Sequence, residues 1–247
     1  MALVCRRTQQ PHRHRSLLAA CCCLVVALSP GRLLGLCAVK PAPATGRSAV
    51  AEPVQLITNR LCPFAQKAWI ALEESALPYT SKEVSLYGSG GKPDWFMKLN
   101  PKGEIPVLVS ADGDAVVDSE LILDWVADAA PAMAPQDQEL GNKWRATISR
   151  QLAPAGKRFV QMGGASAEEA MHASLAELDS ILKASAGDFA TGSSFSVADA
   201  AAVPFIQRIE QRYGLPESTP ALRDWWAKVQ ARPGVQRTLQ SSWWWWW

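Results

Sequence analysis

The first half of the chain alternates short apolar runs with apolar positions at helical spacing. Phe64, Ala68 and Leu72 recur every four residues, which places them on one face of a helix. Strands are predicted for the runs at residues 54–58, 79–84, 105–109 and 115–117. Further helices are predicted at 92–96, after a flexible loop at 88–91, and around the apolar positions 122, 125 and 126. The predicted order is β-α-β-α-β-β-α.

The second half shows helical patterns without a convincing strand. An Ala/Pro-rich linker spans residues 129–135. Beyond it, Ser196 and Asp199 have the spacing of a capping box, which predicts a helix that runs on to Tyr213. Pro204 lies inside this helix and predicts a kink, because proline cannot donate the helical hydrogen bond. We therefore predict an α/β domain followed by an all-α domain.

Composition and charge are those of an ordinary globular chain with a distinct N-terminal segment. The 247 residues are 48% apolar and 19% charged. No acidic residue precedes Glu52 but seven of the 25 basic residues do, so the rest has 18 basic and 23 acidic residues and a net charge of −5. This balance gives no electrostatic reason to expect nucleic-acid binding. The predicted division is a leader at 1–51, domains at 52–130 and 136–242, and a tail at 243–247.

The leader combines a basic opening with a short apolar run. Residues 17–28 are too few to cross a bilayer comfortably and suit a secretory signal. Residues 31–52 are rich in Ala, Pro, Ser and Arg, as transit peptides are. This combination resembles the bipartite leaders of complex plastids, so we expect plastid localisation and no membrane contact after leader removal. Plain secretion, mitochondrial import and a retained N-terminal anchor stay open.

The last five residues, 243–247, are all tryptophan. An exposed row of indole rings would be either an aggregation hazard or an anchor at a membrane interface. An error in the coding sequence would explain the row equally well. We assign the tail no function.

Cys62 is the only cysteine after the leader, which holds the other five. A single thiol there can form neither an intrachain disulfide nor a cysteine zinc site, and we expect no metal. A Cys–His hydrolase would need His172, the only histidine after the leader, which lies in an alanine-rich stretch without a recognisable motif. Cys62 is therefore either an inert core residue or a nucleophile.

Cys62 lies where a predicted strand passes into a helix, with Pro63 at the first helical position. The free amides from Phe64 onward favour thiolate over thiol, and Arg60 would add positive potential. We therefore expect a lowered pKa for Cys62. Ala65 stands where thioredoxins carry a second cysteine. A mixed disulfide on Cys62 therefore needs an external thiol, for which glutathione is the abundant candidate.

Three motifs, in order, resemble those of the cysteine-type glutathione transferases, namely the lambda and omega classes and the plant dehydroascorbate reductases. The motifs are Leu61-Cys62-Pro63-Phe64-Ala65-Gln66-Lys67, the segments 92–96 and 100–108 with Asp118-Ser119, and the segments 195–199 and 203–206. The lambda class is the most similar, given Cys-Pro-Phe-Ala-Gln followed by Trp69-Ile70 and the helical motif Pro204-Phe205-Ile206-Gln207-Arg208. The resemblance covers most of residues 51–235. It implies a thioredoxin-like α/β domain followed by an all-α domain, the two-domain glutathione transferase fold.

The resemblance also implies a site with Cys62 as the catalytic residue and six glutathione-binding residues: Phe64, Lys92, Ile105, Pro106, Asp118 and Ser119. Ile105 would pair its backbone with the cysteinyl part of glutathione, beside a cis Pro106. Asp118 and Ser119 would hold the γ-glutamyl part at a helix N-terminus. Lys92 would pair with the glycyl carboxylate, and Phe64 would add a backbone contact. The implied partners are glutathione as co-substrate and a small electrophilic or oxidised acceptor, with the chain a monomer or homodimer.

These features predict glutathione-dependent thiol transfer or reduction, such as deglutathionylation or dehydroascorbate reduction, through a Cys62–glutathione mixed disulfide. The alternative is a non-catalytic relative that binds hydrophobic ligands or docks a protein. Intracellular chloride-channel proteins share a similar Cys-Pro-Phe segment, but residues 64–72 are too polar and short to argue for membrane insertion. A conjugating transferase would use a Ser or Tyr hydroxyl to stabilise the glutathione thiolate, whereas Cys62 tends to form a disulfide with glutathione.

Overall fold

The computed structural model describes residues 53–86 and 91–239; the leader, most of the loop predicted at 88–91 and the tryptophan tail lie outside them. Four strands form a mixed sheet: β1 Val54–Thr58, β2 Tyr79–Glu83, β3 Val107–Val109 and β4 Ala115–Val117. Their spatial order is β2-β1-β3-β4. β1 runs parallel to β2 and antiparallel to β3, and β3 pairs antiparallel with β4.

Three helices accompany the sheet in the predicted order: α1 Pro63–Ser75, α2 Asp94–Leu99 and α3 Ser119–Ala129. α1 joins β1 to β2, and this crossover is what allows the two strands to be parallel. Of the apolar positions predicted on one face of α1, Ala68 and Leu72 are buried, whereas Phe64 is 36% exposed. The predicted order β-α-β-α-β-β-α is confirmed.

The second half of the described chain is helical. Its helices are α4 Gln138–Thr147, α5 Ala153–Met162, α6 Ala165–Ala184, α7 Val197–Tyr213, α8 Pro220–Gln230 and α9 Pro233–Thr238. A π-helical turn, Ile148–Leu152, joins α4 to α5 without a break. Up to residue 239 this half contains only an isolated bridge between Phe189 and Gly192 and no strand. The predicted α/β domain followed by an all-α domain is therefore confirmed as the fold.

Several local features differ from the prediction, and β2 ends at Glu83 rather than at residue 84. β3 begins at Val107 rather than at residue 105, because Pro106 has no N–H for a strand ladder. The short helix begins at Asp94, after Pro93, and not at residue 92. The Ala/Pro linker contains a 3₁₀ turn, Pro131–Met133, whose last side chain is buried.

Asp199 is a buried hydrogen-bond acceptor in the helical half. The predicted capping box is present at the start of α7, where the Asp199 carboxylate accepts a 2.9 Å hydrogen bond from the Ser196 amide. The same carboxylate accepts hydrogen bonds from the Ala190 amide at 2.9 Å and from the indole N–H of Trp225 at 2.8 Å. Asp199 is fully buried and so ties α7 to α8 and to the preceding loop.

The sheet-containing and helical halves meet where α1 packs against α7. The side-chain amide of Gln66 donates to Gln207 Oε1 at 2.9 Å and to the Thr238 carbonyl at 3.1 Å. These bonds anchor the first turn of α1, and with it the segment that carries Cys62, to the helical half. Within residues 53–86 and 91–239, no helix is both long enough and apolar enough to cross a bilayer.

Candidate active site

Asn59 shapes the turn that delivers Cys62 to the start of α1. Its side-chain amide donates to the Val84 carbonyl at 2.8 Å, and its Oδ1 accepts from the Leu61 amide at 3.0 Å. Its carbonyl accepts from the Cys62 amide at 3.0 Å. Cys62 is the N-cap residue, with an extended backbone (φ −82°, ψ 118°), and Pro63 begins the helix. The predicted position of Cys62 at a helix N-terminus is confirmed.

The ends of three strands meet at one edge of the sheet and bring the predicted site residues together there. Cys62 Sγ lies 3.9 Å from the carbonyl oxygen of Ile105. The Ile105–Pro106 bond is cis, as the resemblance implies. The first residue of β3 pairs with the last residue of β4, so Pro106 and Asp118 lie side by side at the same end of this hairpin.

The Cys62 thiol is buried, with 4% of the residue exposed, and this burial raises the pKa of Cys62 above its ordinary value. The backbone amides of Ala65 and Phe64, followed by the charges of Arg208 and Lys92, act in the opposite direction without cancelling the effect of burial. The expectation of a lowered pKa is therefore wrong for this structure. The reason is physical: a helix N-terminus can be read from the sequence, whereas the side chains that exclude water from the sulfur come from distant segments.

Arg208, on α7, places a positive charge beside Cys62. Its buried guanidinium donates to the Leu61 carbonyl at 3.4 Å and to Gln66 Oε1 at 2.8 Å, so it contacts the chain on both sides of the cysteine. Burial lowers the pKa of Arg208 to about 10, while the Cys62 sulfur acts to raise it. A group with this pKa is cationic at neutral pH and favours the thiolate form of its neighbour.

The sequence predicts that Arg60 supplies this positive charge. Arg60 is instead exposed and pairs with Glu83, with 3.8 Å between Nε and Oε2. Sequence reasoning missed Arg208 as a site residue. The only signal was its position four residues after Pro204 in the helical motif, and in the structure Arg208 indeed donates to the Pro204 carbonyl at 2.7 Å.

Asp118 and Ser119 form the start of α3 at the same sheet edge. Asp118 is the N-cap, and its Oδ1 accepts from the Glu120 amide at 2.7 Å. Its φ of 92° is uncommon for a residue other than glycine and fixes the direction in which the chain enters the helix. Ser119 is the first helical residue and is buried. The remaining free amides of this helix end can hold a carboxylate.

Lys92 and Phe64 lie at the rim of the site. Lys92 is half-buried; its charge acts on Cys62, and its Nζ lies 5.7 Å from the centre of the Phe96 ring. The Phe64 ring meets the Phe205 ring edge-on, with 5.5 Å between ring centres. The structure thus gathers all seven predicted site residues around one sheet edge, and it adds Phe205 from α7.

A partly buried ion-pair cluster joins α1, α3 and α4 next to this edge. Lys67, 2% exposed, pairs with Glu120, which also binds Arg145 at 2.7 Å. Arg145 binds Asp124 at 2.6 Å as well. Burial lowers the pKa of Lys67. Burial alone would raise the pKa of Glu120, but Lys67 and Arg145 together lower it. No sequence motif identified this cluster, because its members come from three separate helices.

A cavity of about 230 Å³ opens directly beside the start of α1. Its lining residues come from both halves of the fold and are Pro63, Phe64, Ser149, Ala153, Pro154, Lys157 and Phe205. Pro63 and Phe64 directly follow Cys62 in the chain, although Cys62 itself is not one of the lining residues. The described residues contain no group of three or more His, Cys, Asp or Glu side chains placed to hold a metal ion.

Comparison with known proteins agrees with this fold. The family model described as "Glutathione S-transferase, N-terminal domain" matches residues 61–129, and "Glutathione S-transferase, C-terminal domain" matches residues 124–228. "Probable glutathione S-transferase DHAR4" from Arabidopsis thaliana is 31% identical over 72% of this chain and 83% of its own length. "Probable glutathione S-transferase DHAR2, chloroplastic" from Oryza sativa subsp. japonica is 27% identical over 77% of this chain and 73% of its own length.

A solved structure, glutathione transferase Omega 3C from Trametes versicolor, superposes with a TM-score of 0.65 at 25% identity, covering 77% of this chain and 85% of that one. The chain therefore belongs to the glutathione S-transferase family, and it has the two-domain fold of that family. It is a cysteine-type member, similar to the omega and DHAR proteins, and an enzyme of a family whose co-substrate is glutathione.

Proposed function

We propose that this protein catalyses glutathione-dependent thiol transfer through a mixed disulfide between Cys62 and glutathione. The observation that carries this proposal is the position of Cys62 Sγ. The sulfur lies at the N-terminus of α1, 3.9 Å from the carbonyl of Ile105, the residue before the cis Pro106. A sulfur at this edge would meet the thiol of a tripeptide whose backbone pairs with Ile105.

Glutathione would occupy the sheet edge with its two carboxylates at opposite ends. The amides at the start of α3, at Asp118 and Ser119, would take the γ-glutamyl carboxylate, and the Asp118 carboxylate would face the ligand's amino group. Lys92 would pair with the glycyl carboxylate. The backbone of Phe64 would add a contact at the sulfur. Each of these roles is part of the proposal.

The chemistry proceeds in two balanced exchanges. The Cys62 thiolate attacks the glutathionyl sulfur of a mixed disulfide, the new sulfur–sulfur bond forms as the old one breaks, and the acceptor thiolate leaves with the electron pair. Ala65 cannot supply a resolving thiol. A second glutathione thiolate therefore attacks the Cys62–glutathione disulfide, which releases oxidised glutathione and regenerates the Cys62 thiolate. In the reduction of a substrate such as dehydroascorbate, two glutathione molecules would supply the two electrons.

The test is steady-state turnover of the mixed disulfide of glutathione and mercaptoethanol, followed as oxidised glutathione formed per enzyme. We expect Cys62→Ser to lower kcat/KM by at least about a thousandfold, because serine cannot form the mixed disulfide. Cys37→Ser, which removes one of the leader thiols, is the matched control and should turn over normally. Equal turnover by Cys62→Ser and the parent chain would refute the proposal.

A second candidate is a non-catalytic member that binds hydrophobic ligands or docks a protein. The observation in its favour is the burial of the Cys62 thiol, which raises its pKa and so lowers its reactivity at neutral pH. Under this candidate the purified chain turns over no glutathione disulfide at any pH but still binds an apolar ligand in the cavity beside Phe64. The same turnover assay, repeated at alkaline pH, separates the two candidates.

We further propose that the protein acts in a plastid. Support comes from the signal-like and transit-like leader and from relatives named chloroplastic, although another relative is named cytosolic. A reducing stroma also suits an enzyme that depends on a free thiol. Imaging a fusion of residues 1–51 to a fluorescent protein in a cell with complex plastids tests this assignment, and fluorescence confined to the secretory pathway or mitochondria would contradict it.

A further inference from the structure

The cavity beside the start of α1 has the size and lining of a site for one aromatic ring. Its volume of about 230 Å³ exceeds the roughly 150 Å³ that accommodates benzene in an apolar protein cavity. Its wall is mostly carbon, from Pro63, Ala153 and Pro154 together with the Phe64 and Phe205 rings. The two phenylalanine rings meet edge to face at 5.5 Å, which is the arrangement that a third ring can extend.

The polar groups of this cavity all come from the segment that contains the π-helical turn. Pro154, the second residue of α5, lacks the N–H that would bond the carbonyl four residues earlier, and the turn Ile148–Leu152 directly precedes α5. Ser149, within the turn, donates its hydroxyl to the Arg145 carbonyl at 2.9 Å. Of the lining residues in the described chain, Lys157 alone carries a charge, and it lies one turn after Ala153 on the exposed side of α5.

We propose that the preferred acceptor half of the disulfide is an aromatic thiol that carries a carboxylate or sulfonate group; this rests on the thiol transfer proposed above. The ring would pack between Phe64, Phe205 and Pro154, and the anionic group would reach the Lys157 ammonium at the open side. A small acceptor rich in hydroxyl and carbonyl groups would face carbon on most sides and lose hydrogen bonds to water without replacement.

In the reaction, the Cys62 thiolate attacks the glutathionyl sulfur, and the aromatic thiolate leaves into the cavity with the electron pair of the broken bond. The second exchange, by glutathione, releases oxidised glutathione from Cys62 as described above. No other oxidant or reductant is required. Aromatic thiolates are good leaving groups in any disulfide exchange, so a useful measurement must separate recognition by the protein from intrinsic reactivity.

The experiment compares three mixed disulfides of glutathione on the full chain: with thionitrobenzoate, with its neutral amide thionitrobenzamide, and with mercaptoethanol. Each kcat/KM is divided by the rate constant of the same disulfide with glutathione alone. We expect the normalised values of both aromatic disulfides to exceed that of the mercaptoethanol disulfide by about tenfold. The anionic disulfide should exceed its neutral amide by about threefold at low ionic strength, and this gap should close in high salt.

Two neighbouring cations provide matched variants. Lys157→Gln should bring the anionic and neutral aromatic disulfides to equal normalised values, while Lys157→Arg keeps the preference. Arg158→Gln removes the adjacent exposed charge, which does not line the cavity, and should leave the preference as it is.

Equal normalised values for all three disulfides, or a preference that survives Lys157→Gln, would overturn the proposed acceptor class. If the mercaptoethanol disulfide is still turned over through Cys62 in that case, thiol transfer stands and only the acceptor class fails. If no disulfide is turned over, the proposed function fails with it.

Discussion

The guanidinium of Arg208 donates a 2.8 Å hydrogen bond to Oε1 of Gln66, a residue four positions after Cys62 and 142 positions before Arg208. The same guanidinium reaches the Leu61 carbonyl at 3.4 Å. The helical half of the fold therefore holds the turn that carries the nucleophile and places a fixed positive charge behind it. On this geometry, the reactivity of the Cys62 thiol depends on α7 as well as on α1.

Replacing Arg208 with glutamine should raise the pKa of Cys62 further, because the thiolate loses a buried cation that favours it. The measurement is the pH dependence of iodoacetamide alkylation of Cys62, followed on the tryptic peptide that spans residues 61–67. Arg212→Gln, one turn further on the exposed part of α7, is the matched control and should leave the pKa unchanged. An unchanged pKa in Arg208→Gln would show that the guanidinium does not act on the sulfur.

In the parent chain, the alkylation rate of Cys62 should climb through neutral pH instead of reaching a plateau there. Burial raises the folded-state pKa of this thiol, so only a small fraction is thiolate near pH 7, and that fraction grows about tenfold per pH unit until the pKa is reached. Turnover limited by the thiolate should rise over the same range. A plateau of the alkylation rate at or below about pH 7 would contradict the predicted effect of burial.

Glu120→Gln should lower the free energy of unfolding by about 3–5 kcal/mol, because it leaves Lys67 and Arg145 without their shared carboxylate. Urea unfolding at neutral pH measures this loss. Asp124→Asn removes an exposed carboxylate that contacts the same arginine and should cost less than about 1 kcal/mol.

The pH dependence of this contribution has a defined sign. The pKa of Glu120 is lower in the folded chain, so its ion pairs stabilise the fold above the ordinary carboxylate pKa. That stabilisation is lost as the pH falls through the folded pKa. The difference in stability between Glu120→Gln and the parent chain should therefore shrink in acid, and a difference that stays constant would count against the ion pairs as its cause.

Asp199→Ala should lower the free energy of unfolding by about 3 kcal/mol or more, because it leaves the amides of Ala190 and Ser196 and the indole N–H of Trp225 buried without their acceptor. Asp137→Ala removes an exposed N-cap with a single bond to the Leu140 amide and should cost about 1 kcal/mol. Denaturant unfolding of the two variants in parallel gives the comparison, and equal losses would contradict the central role of Asp199.

Most of the fold and the outline of the site could be predicted from the sequence because their signals are local. The start of α1 follows from Pro63 and the four-residue apolar spacing, and the capping box at Ser196 and Asp199 marks the start of α7. The cis bond before Pro106 was implied by a motif of adjacent residues. Each of these features depends on side chains within a few positions of one another.

The remaining features depend on contacts between distant segments. Arg208 acts on Cys62 only because α7 packs against α1, and no local pattern records that packing. The pKa of Cys62 is raised because the surrounding elements exclude water from the sulfur. This effect outweighs that of the helix-end amides, which the sequence does reveal. Phe205 and Lys157 likewise line the cavity only because their helices, which lie far along the chain, pack near the start of α1.

The proposed mechanism is tested most directly by incubating the full chain with oxidised glutathione and mapping the modified cysteine by mass spectrometry. Trypsin releases residues 61–67 as one peptide whose only thiol is Cys62, so an adduct there is distinct from adducts on the leader. We predict that this peptide gains one glutathionyl group and loses it again when reduced glutathione is added. A peptide that stays unmodified in the folded chain, even at alkaline pH where the thiol is ionised, would contradict Cys62 as the nucleophile.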